Sequence, residues 1–328
     1  MSRELLDGDD LAALVRKLPA GAIVLAFDVE TCAAPGGDAR VPDRARIVQI
    51  ALQAFSGEPL PDVPLDESVV HDADGVAVGY VFASCTYVDP RVKIDAGSQA
   101  KHKITDAQVR GAPTVDDLAD TLEAWLVVDA TEPDPETGEV VRRPVFLCGY
   151  NAARYDVPVV LAEMRRAKRD DVASLIAAAP LLDPYLIRQH AESSMSLLGS
   201  MQRYGIGDLG GAEHSADADT AGVLAVLAAQ AACGHLTQVD DAIKLSTGKA
   251  APPSGAIDPQ GKLRWAGDAP PAGGTPTTDN VVINFGTHKG KTLREAGIGM
   301  SRWICGKDFG DVVKSTLKQA WGVSARSW

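Results

Sequence analysis

The chain has 328 residues, of which 45% are hydrophobic and 23% are charged, and its formal net charge is −12. This length suits two domains better than one, and the apolar fraction is ordinary for a globular protein with a sizeable core. A chain this acidic does not hold long nucleic acid by overall attraction, so any such contact must be local, through basic patches or metal ions.

The first part of the chain is predicted to contain strands that follow one another directly. The apolar run at residues 22–27 predicts a buried strand that ends in acidic residues, and residues 46–55 and 80–88 predict two more. Strands in immediate succession, without helices between them, indicate an antiparallel start to a sheet. Two polar insertions, residues 56–79 and 129–143, interrupt this plan, and solvated surface explains both of them.

The next part of the chain is predicted to be mainly helical. Five helices are expected there, over residues 114–127, 156–168, 186–190, 196–204 and 217–232. Thr114 is a suitable N-cap for the first of them, because its hydroxyl can accept an N–H group of the first turn. A short apolar strand at residues 145–148 lies between the first two helices.

A change in composition after Leu245 divides the chain. Residues 246–278 are rich in Pro, Gly and Thr, which predicts a flexible linker, and residues 257–265 within it are compatible with a small hairpin. Residues 279–328 are predicted to form a separate small α+β domain, leaving residues 1–245 as the main domain. The small domain has eight Lys and Arg against four Asp and Glu, so its net charge is +4 and that of the other 278 residues is −16.

Two acidic residues, Asp28 and Glu30, end the first predicted strand. Alternate residues of a strand point to the same face, so these carboxylates lie together and repel each other unless a cation is between them. Mg²⁺ or Mn²⁺, which prefer oxygen ligands, would relieve this repulsion. Taken alone, the pair is explained equally well as two solvated acids after a strand.

Two further motifs also have ordinary structural explanations. Asp156 lies between a predicted strand and a helix, where Asp is a good N-cap. Asp219 lies near the start of the helix predicted at residues 217–232, where an acid is favoured by the helix dipole, and His214 precedes it on a loop. Each motif by itself is therefore weak evidence for a catalytic role.

The order of the motifs is more specific. DxE at a strand end, NAxxD at a strand–helix junction and HxAxxD at a helix start together resemble the DEDDh group of the DnaQ-like exonuclease superfamily. Segments between the motifs resemble that family too, namely IVQIA at 47–51, HKIT at 102–105, LDPY at 182–185 and SLLGSMQRYGI at 196–206. The resemblance covers roughly residues 20–233 and implies an α/β, ribonuclease H-like fold with a mixed five-stranded sheet flanked by helices.

The resemblance also implies roles for five residues. Asp28, Glu30 and Asp219 would hold one Mg²⁺ or Mn²⁺ ion, and Asp28 and Asp156 would hold a second. His214 would act as general base toward the attacking water, since an imidazole suits neutral pH. Cleavage would start from a 3′ end and release nucleoside 5′-monophosphates.

The chain departs from the family beside the acids. Thr31 is followed by Cys32 rather than a second Thr, and Tyr150 and Tyr155 stand where the family often has His and Phe. These departures concern substrate contacts more than the chemistry. By resemblance, the substrate-binding residues of the main domain would be Thr31, Tyr150, Asn151 and Tyr155.

The small domain resembles the C-terminal module of exonuclease X-like proteins. The resemblance rests on FGTHKGKTL at 285–293, followed by Trp303 and Phe309. Three residues of the Gly-flanked turn could meet phosphate: His288, Lys289 and Lys291. A solvated basic turn, or a module that docks a DNA-processing protein, explains the same residues.

The sequence therefore predicts a two-metal-ion 3′→5′ exonuclease acting on nucleic-acid 3′ ends, and the exonuclease X-like tail favours DNA over RNA. Two alternatives stay open: an exonuclease for RNA or short oligonucleotides, and a non-catalytic scaffold that binds nucleic acid or a polymerase. None of the five cysteines has a CxxC partner, which favours reduced thiols in a cytoplasmic protein. No apolar stretch is long enough to predict a membrane span.

Overall fold

The computed structural model describes residues 5–60, 69–129, 138–191, 196–207, 216–247, 255–258, 261–267, 269–271, 273–307 and 309–323. The chain divides into two compact units. The larger comprises Met1–Ile187 with Met195–Thr247, and the smaller comprises Arg188–Ser194 with Gly248–Trp328. None of the helices in these described ranges is long and apolar enough to cross a membrane.

Six strands form the sheet of the larger unit: β1 (Ile23–Ala33), β2 (Ala45–Ser56), β3 (Val69–His71), β4 (Ala77–Tyr87), β5 (Val145–Cys148) and β6 (Leu181–Leu182). Their order in space is β3-β4-β2-β1-β5-β6. The strands β3, β4, β2 and β1 pair antiparallel, whereas β5 is parallel to β1 and β6 is parallel to β5. This mixed α/β sheet is consistent with the expected ribonuclease H-like fold.

The sheet has one strand more than the five expected. The additional strand is β3, which comes from the polar insertion at 56–79 and pairs with β4 at the edge of the sheet. It is only three residues long and half exposed, so it lacks the apolar alternation by which a strand is predicted. The antiparallel start predicted from the strand succession is confirmed.

The helices before residue 247 are α1 (Gly8–Val15), α2 (Ala96–His102), α3 (Asp106–Val109), α4 (Val115–Leu126), α5 (Asp156–Arg166), α6 (Asp170–Ala178), α7 (Pro184–Ala191), α8 (Leu197–Tyr204), α9 (Ala216–Ala232) and α10 (Val239–Ser246). The five helices predicted from periodicity are confirmed to within two residues at each end. Thr114 caps α4 as predicted, and its hydroxyl is 3.0 Å from the carboxylate of Asp117 in a capping box.

The central strand β1 faces two separate cores. Leu25 and Phe27 point to one of them, which α4, α5 and α6 cover. Val24 and Ala26 point to the other, which α1 and α9 cover. Because side chains alternate along a strand, Asp28 continues the face that packs on α9. The fold thereby directs the acidic part of β1, in the middle of the strand, toward the helix that carries Asp219.

Helix α9 is buried around almost its whole circumference. Its residues are mostly Ala, Val and Leu, and it therefore lacks the polar face of a surface helix. A Cβ atom at Gly222 would lie 2.8 Å from Sδ of Met201, so α8 and α9 approach each other closely at this point. The helix start that presents Asp219 is consequently held by the core itself.

In the smaller unit, β7 (Leu263–Trp265) pairs antiparallel with β8 (Val281–Ile283). The helices α11 (Leu293–Ala296), α12 (Ile298–Cys305) and α13 (Asp311–Ala320) follow. Leu263, Leu293 and Leu317 are among the buried residues of its core. The small unit thus combines a two-stranded sheet with helices, and one of its two strands lies before the predicted start at residue 279.

The small unit begins earlier in the chain than the change in composition predicts. Strand β7 lies within the segment 246–278, which we predicted to be linker. The hairpin suggested for residues 257–265 is present, since Ile257 N–H donates to the Leu263 carbonyl and Trp265 N–H donates to the Gly255 carbonyl. Gly261 turns the chain with φ of 62°, a conformation that glycine adopts without strain. The linker prediction rested on the Pro-, Gly- and Thr-rich residues on either side of this hairpin.

Candidate metal-binding and catalytic site

Three carboxylates meet along β1, which runs on to Ala33 and so continues beyond the strand end predicted at residue 27. One oxygen from each of Asp28, Glu30 and Asp219 lies within 4.8 Å of the others. Asp28 and Glu30 extend beyond Ala26, the last β1 residue paired with β5, and Asp219 lies in the first turn of α9. Carboxylates this close disfavour one another's ionisation unless a cation balances them. The structure thus brings together the three acids singled out in the sequence, and their binding of a metal stays a prediction.

Asp156 contributes a fourth carboxyl group from the start of α5, where it is buried. Its charge acts on Asp28, because repulsion by Asp156 helps to raise the pKa of Asp28. Burial raises the pKa of Asp156 itself to about 7, although the backbone N–H groups of Asp156 and Val29 oppose this shift. The residue predicted by sequence either to cap α5 or to bind metal thus lies beside the other acids.

Three of these acids, Asp28, Glu30 and Asp156, are held where ionisation is costly. Burial raises the pKa of Asp28 well above its ordinary range. Repulsion adds to this shift, and it comes from the carboxylates of Asp156, Asp219 and Glu30. Burial also raises the pKa of Glu30 to about 7, while Lys101 opposes this shift. A bound divalent cation would reverse this balance, because a cation favours the ionised forms.

Lys101 was not predicted from the sequence as a site residue. It lies in the last turn of α2, and its positive charge lowers the pKa values of both Asp28 and Glu30. Lys101 and Glu30 line the same cavity of about 640 Å³, together with Thr31, Tyr155 and others. This volume falls within the range of about 300–1,000 Å³ that small-ligand sites occupy. The cavity therefore places one cation and one acid of the site where a ligand can reach them.

The wall of this cavity is tied together by Tyr155. Its phenol donates to the carbonyl of Ala39, and its oxygen lies 2.6 Å from Oγ1 of Thr31. Because a phenol has one proton to give, the hydroxyl of Thr31 is the donor in the second bond. The two predicted substrate-binding residues thus connect β1 to the turn before α5.

A buried carboxylate holds the turn that presents Asp156. Asp183, which is fully buried, accepts the N–H of Asn151 at 2.8 Å and that of Ala153 at 3.2 Å. It also accepts the N–H groups of Tyr185 and Leu186 at the start of α7. Burial raises the pKa of Asp183 to about 6, and these N–H groups oppose the shift. The sequence motif LDPY contained this residue, but nothing in the motif indicated its bonding.

Asn151 and Tyr150 occupy the same turn but differ in their contacts. Asn151 adopts φ of 61°, which Asn tolerates better than most residues, and its side-chain carbonyl oxygen is buried without a hydrogen-bond partner in the described chain. The hydroxyl of Tyr150 lies 2.6 Å from Oγ of Ser200 and donates to the carbonyl of Ser196. Tyr150 therefore connects this turn to α8, and its contact with substrate stays a prediction.

His214, the predicted general base, lies outside the described residues. Helix α9 begins two residues later, at Ala216. The role of His214 remains the one implied by the sequence motif.

The three remaining predicted residues belong to the smaller unit. His288, Lys289 and Lys291 follow β8, in the turn that leads to α11. Lys289 lines a cavity of about 310 Å³ with Arg264 and Trp265 among its other walls. Lys291 is exposed, whereas Nδ1 of His288 is buried and has no hydrogen-bond partner among the residues that the structure covers. Their contact with phosphate stays a prediction.

Comparison with known proteins finds distant structural similarity only. No protein-family model matches the chain, and no curated protein is similar to it. E. coli exonuclease I bound to a dT13 oligonucleotide is similar at 16% identity and a TM-score of 0.43, over 66% of this chain and 41% of that chain. Its complex with a dA16 oligonucleotide gives 16% and 0.43, over 68% and 42%. A product-bound exonuclease I gives 17% and 0.44, over 68% and 45%. The chain thus spans less than half the length of these neighbours.

Proposed function

We propose that this protein is a divalent-metal-dependent 3′→5′ exonuclease that hydrolyses phosphodiester bonds and releases nucleoside 5′-monophosphates. The observation that supports it most strongly is the meeting of Asp28, Glu30 and Asp219 within 4.8 Å, beside the buried Asp156. A non-catalytic scaffold would have no use for four carboxyl groups whose closeness opposes their own ionisation. DNA is the favoured substrate because the small domain has the exonuclease X-like motif.

The donor set fits Mg²⁺ or Mn²⁺. All four groups are carboxylates, the hard oxygen ligands that these ions prefer. Asp28, Glu30 and Asp219 would hold one ion, and Asp28 and Asp156 would hold a second. Such ions, when bound, lower the pKa of water and stabilise the charge that develops on a phosphate undergoing displacement.

The chain's own residues would bind and position the substrate around these acids. The cavity beside Glu30 would receive the terminal nucleotide, and the ammonium group of Lys101 on its wall would attract a phosphate oxygen. Asp183 would keep Asp156 in place through the turn that it anchors. His214 would take a proton from the attacking water, which leaves a hydroxyl on the shortened strand and a 5′-phosphate on the released nucleoside.

The test uses purified protein with 5′-labelled single-stranded DNA, double-stranded DNA and RNA, each with a free or a blocked 3′ end. We expect stepwise shortening from free 3′ ends with Mg²⁺ or Mn²⁺, and no shortening with EDTA or with a blocked end. Release of nucleoside 5′-monophosphates, measured by chromatography, identifies the bond that is cut. Degradation of blocked and free ends at equal rates would overturn the proposed direction.

A matched pair of variants distinguishes the loss of a carboxylate in the site from the loss of a carboxylate at the surface. Asp28→Asn removes one of the clustered carboxylates and should reduce hydrolysis by at least about a hundredfold, as expected when an essential metal ligand is lost. Asp74→Asn removes the same charge from an exposed turn and should hydrolyse as the wild type does. Equal activity of Asp28→Asn and the wild type would refute the assignment.

A further inference from the structure

Three aromatic side chains form a row at the surface of the smaller unit. The rings of Phe285 and Phe309 have centroids 5.2 Å apart, and those of Phe309 and Trp303 have centroids 6.2 Å apart. We call these three residues the aromatic row. The sequence motif contained all three, but their convergence depends on the core of the small unit, against which Phe285 and Phe309 pack beside Ile304. The row is therefore a feature that only the fold reveals.

The outer end of the aromatic row is open to solvent. Trp303 is 51% exposed. Every other Trp, Tyr and Phe in the described ranges is buried or only partly exposed. Exposed aromatic side chains are costly in water and are enriched at sites of molecular contact. Phe285 and Phe309 are half-buried, so each also presents part of its ring.

A lysine lies over the ring at each end of the row. Nζ of Lys262 is 5.7 Å from the centroid of Phe285, and Nζ of Lys307 is 5.9 Å from the centroid of Trp303. Cation–π contacts at exposed sites are weak. A phosphate oxygen offers the ammonium group of Lys307 a stronger, charge-assisted hydrogen bond.

The charge around the row also favours an anionic ligand. Residues 279–328 carry a net charge of +4, in contrast to −16 for the rest of the chain. Two of the acids in this segment already have partners, since Asp279 pairs with Arg294 and Glu295 caps α11. The net charge of +4 already counts these two carboxylates and Arg294, so the positive balance remains after their pairing.

We propose that the aromatic row binds single-stranded nucleic acid. Unpaired bases would stack on Trp303 and the neighbouring rings, and backbone phosphates would meet Lys262 and Lys307. Rings that alternate with cations suit this ligand because every unpaired base has a π-face and every nucleotide has a phosphate, whereas a duplex hides its base faces. An apolar protein segment would instead place the ammonium group of Lys307 against apolar atoms, which is costly.

This inference goes beyond the proposed function. The row belongs to a different unit from the four acids and would hold a part of the strand that is not being cut. It gives an acidic protein a local site for a polyanion, which the overall charge does not supply. Binding at the row and hydrolysis at the acids are therefore separable by experiment.

The test is fluorescence anisotropy of the full chain with a labelled oligothymidylate of about 16 nucleotides, the upper end of a single-module site. EDTA is present, so that the strand is not degraded. Trp303→Ala should weaken binding about tenfold, which corresponds to the loss of one stacked base. Trp303→Phe keeps a ring and should retain most of the affinity.

Charge is tested with a second matched pair. Lys307→Gln should lower the affinity and make it fall less steeply with salt, because one phosphate contact is lost. Lys244→Gln removes an exposed lysine from α10 in the larger unit and should leave both quantities unchanged. Circular dichroism and the melting temperature confirm that each variant is folded before its affinity is compared.

Several outcomes would overturn the inference. Equal affinity of Trp303→Ala and the wild type would do so, as would tighter binding of duplex than of single strand. If Trp303→Ala instead abolished self-association in sedimentation and left strand binding unchanged, the row would be a protein-docking surface. Asp28→Asn should bind the oligonucleotide normally while failing to hydrolyse it, so failure of the proposed function is distinguished from failure of this inference.

Discussion

The carboxylate of Asp183 accepts the backbone N–H of Asn151 at 2.8 Å and thereby connects the end of β6 to the turn that presents Asp156. The bond spans 32 residues of sequence, and the acceptor Asp183 is fully buried. Asp156 owes its position to this bond and to that of Ala153 on the same carboxylate.

We expect Asp183→Asn to destabilise the protein by about 2–3 kcal/mol, since it weakens charge-assisted bonds and turns an amide toward N–H groups that need an acceptor. Hydrolysis should also fall, mainly in kcat, because Asp156 is displaced rather than removed. Urea unfolding and steady-state kinetics measure the two effects. Asp7→Asn, at the exposed N-cap of α1, is the control and should change stability by only a few tenths of a kcal/mol. A variant at 183 as stable as the wild type would contradict the positioning role.

The metal-free protein should lose stability as the pH rises from about 5 to about 8. Burial raises the pKa of Glu30 to about 7 from its ordinary value of 4.5, so the folded state holds a proton that the unfolded state has released. A group with a raised pKa in the folded state stabilises it at low pH and ceases to do so above the folded pKa. The melting temperature in EDTA should therefore fall over this range.

Mg²⁺ should raise the melting temperature more at pH 8 than at pH 5, because protons compete with the cation for the same oxygens. Glu30→Gln provides the control. It should flatten the part of the pH dependence that is due to this carboxyl group. A melting temperature in EDTA that rises steadily up to pH 8, and does so equally in Glu30→Gln, would contradict this account.

Lys101→Met should raise the pH at which activity appears. Lys101 lowers the pKa values of Asp28 and Glu30, and its removal lets both rise further. KM should increase severalfold, because the cavity loses its ammonium group beside Glu30. The pH profile of kcat/KM measures both effects. Lys103→Met, two residues away, is the control, because the Lys103 ammonium donates to the Ala100 carbonyl and does not line the cavity. Identical profiles for the two variants would exclude a specific role for Lys101.

Lys168→Gly should stabilise the protein by about 1 kcal/mol, although it removes a side chain. Lys168 follows the end of α5 with φ of 60°, a conformation that costs a residue with a Cβ about 1–2 kcal/mol and costs glycine nothing comparable. Arg165→Gly, three residues earlier within the helix, should destabilise by about 1 kcal/mol. Thermal unfolding distinguishes these opposite signs, and destabilisation by both would show that the αL conformation is not the deciding factor.

The sequence predicts the acids of the site well because each of them depends on local structure. Asp28 and Glu30 share a face as alternate strand residues, and Asp219 opens a helix that periodicity already indicates. The order of the motifs along the chain then predicts that these acids meet in the folded protein, which periodicity alone does not predict. Mixed α/β architecture follows in the same way, from strands in succession and helices after them.

Residues whose role depends on distant packing are those that the sequence does not predict. From the sequence alone, Lys101 is an ordinary surface lysine. Its role becomes visible only when the fold places α2 beside β1. Asp183 becomes a buried acceptor only when β6 lies beside β5 and the chain returns over it. Tyr150 was expected at the substrate, yet its hydroxyl is engaged by Ser196 and Ser200 of a segment nearly fifty residues away. Hydrogen bonds of this range leave no periodic signal.

The burial of α9 has a consequence for the choice of ion. A helix that is packed on all sides cannot shift its backbone to accommodate a larger metal ion. The backbone of the central strand that packs against it is held equally firmly. Ca²⁺ takes 6–8 ligands at 2.3–2.6 Å in adaptable geometry, whereas Mg²⁺ requires a compact octahedron at 2.0–2.1 Å. A site whose carboxylates are held by so rigid a backbone should discriminate between metal ions by size. We therefore expect Ca²⁺ to bind there poorly, to compete weakly with Mg²⁺ and not to support hydrolysis.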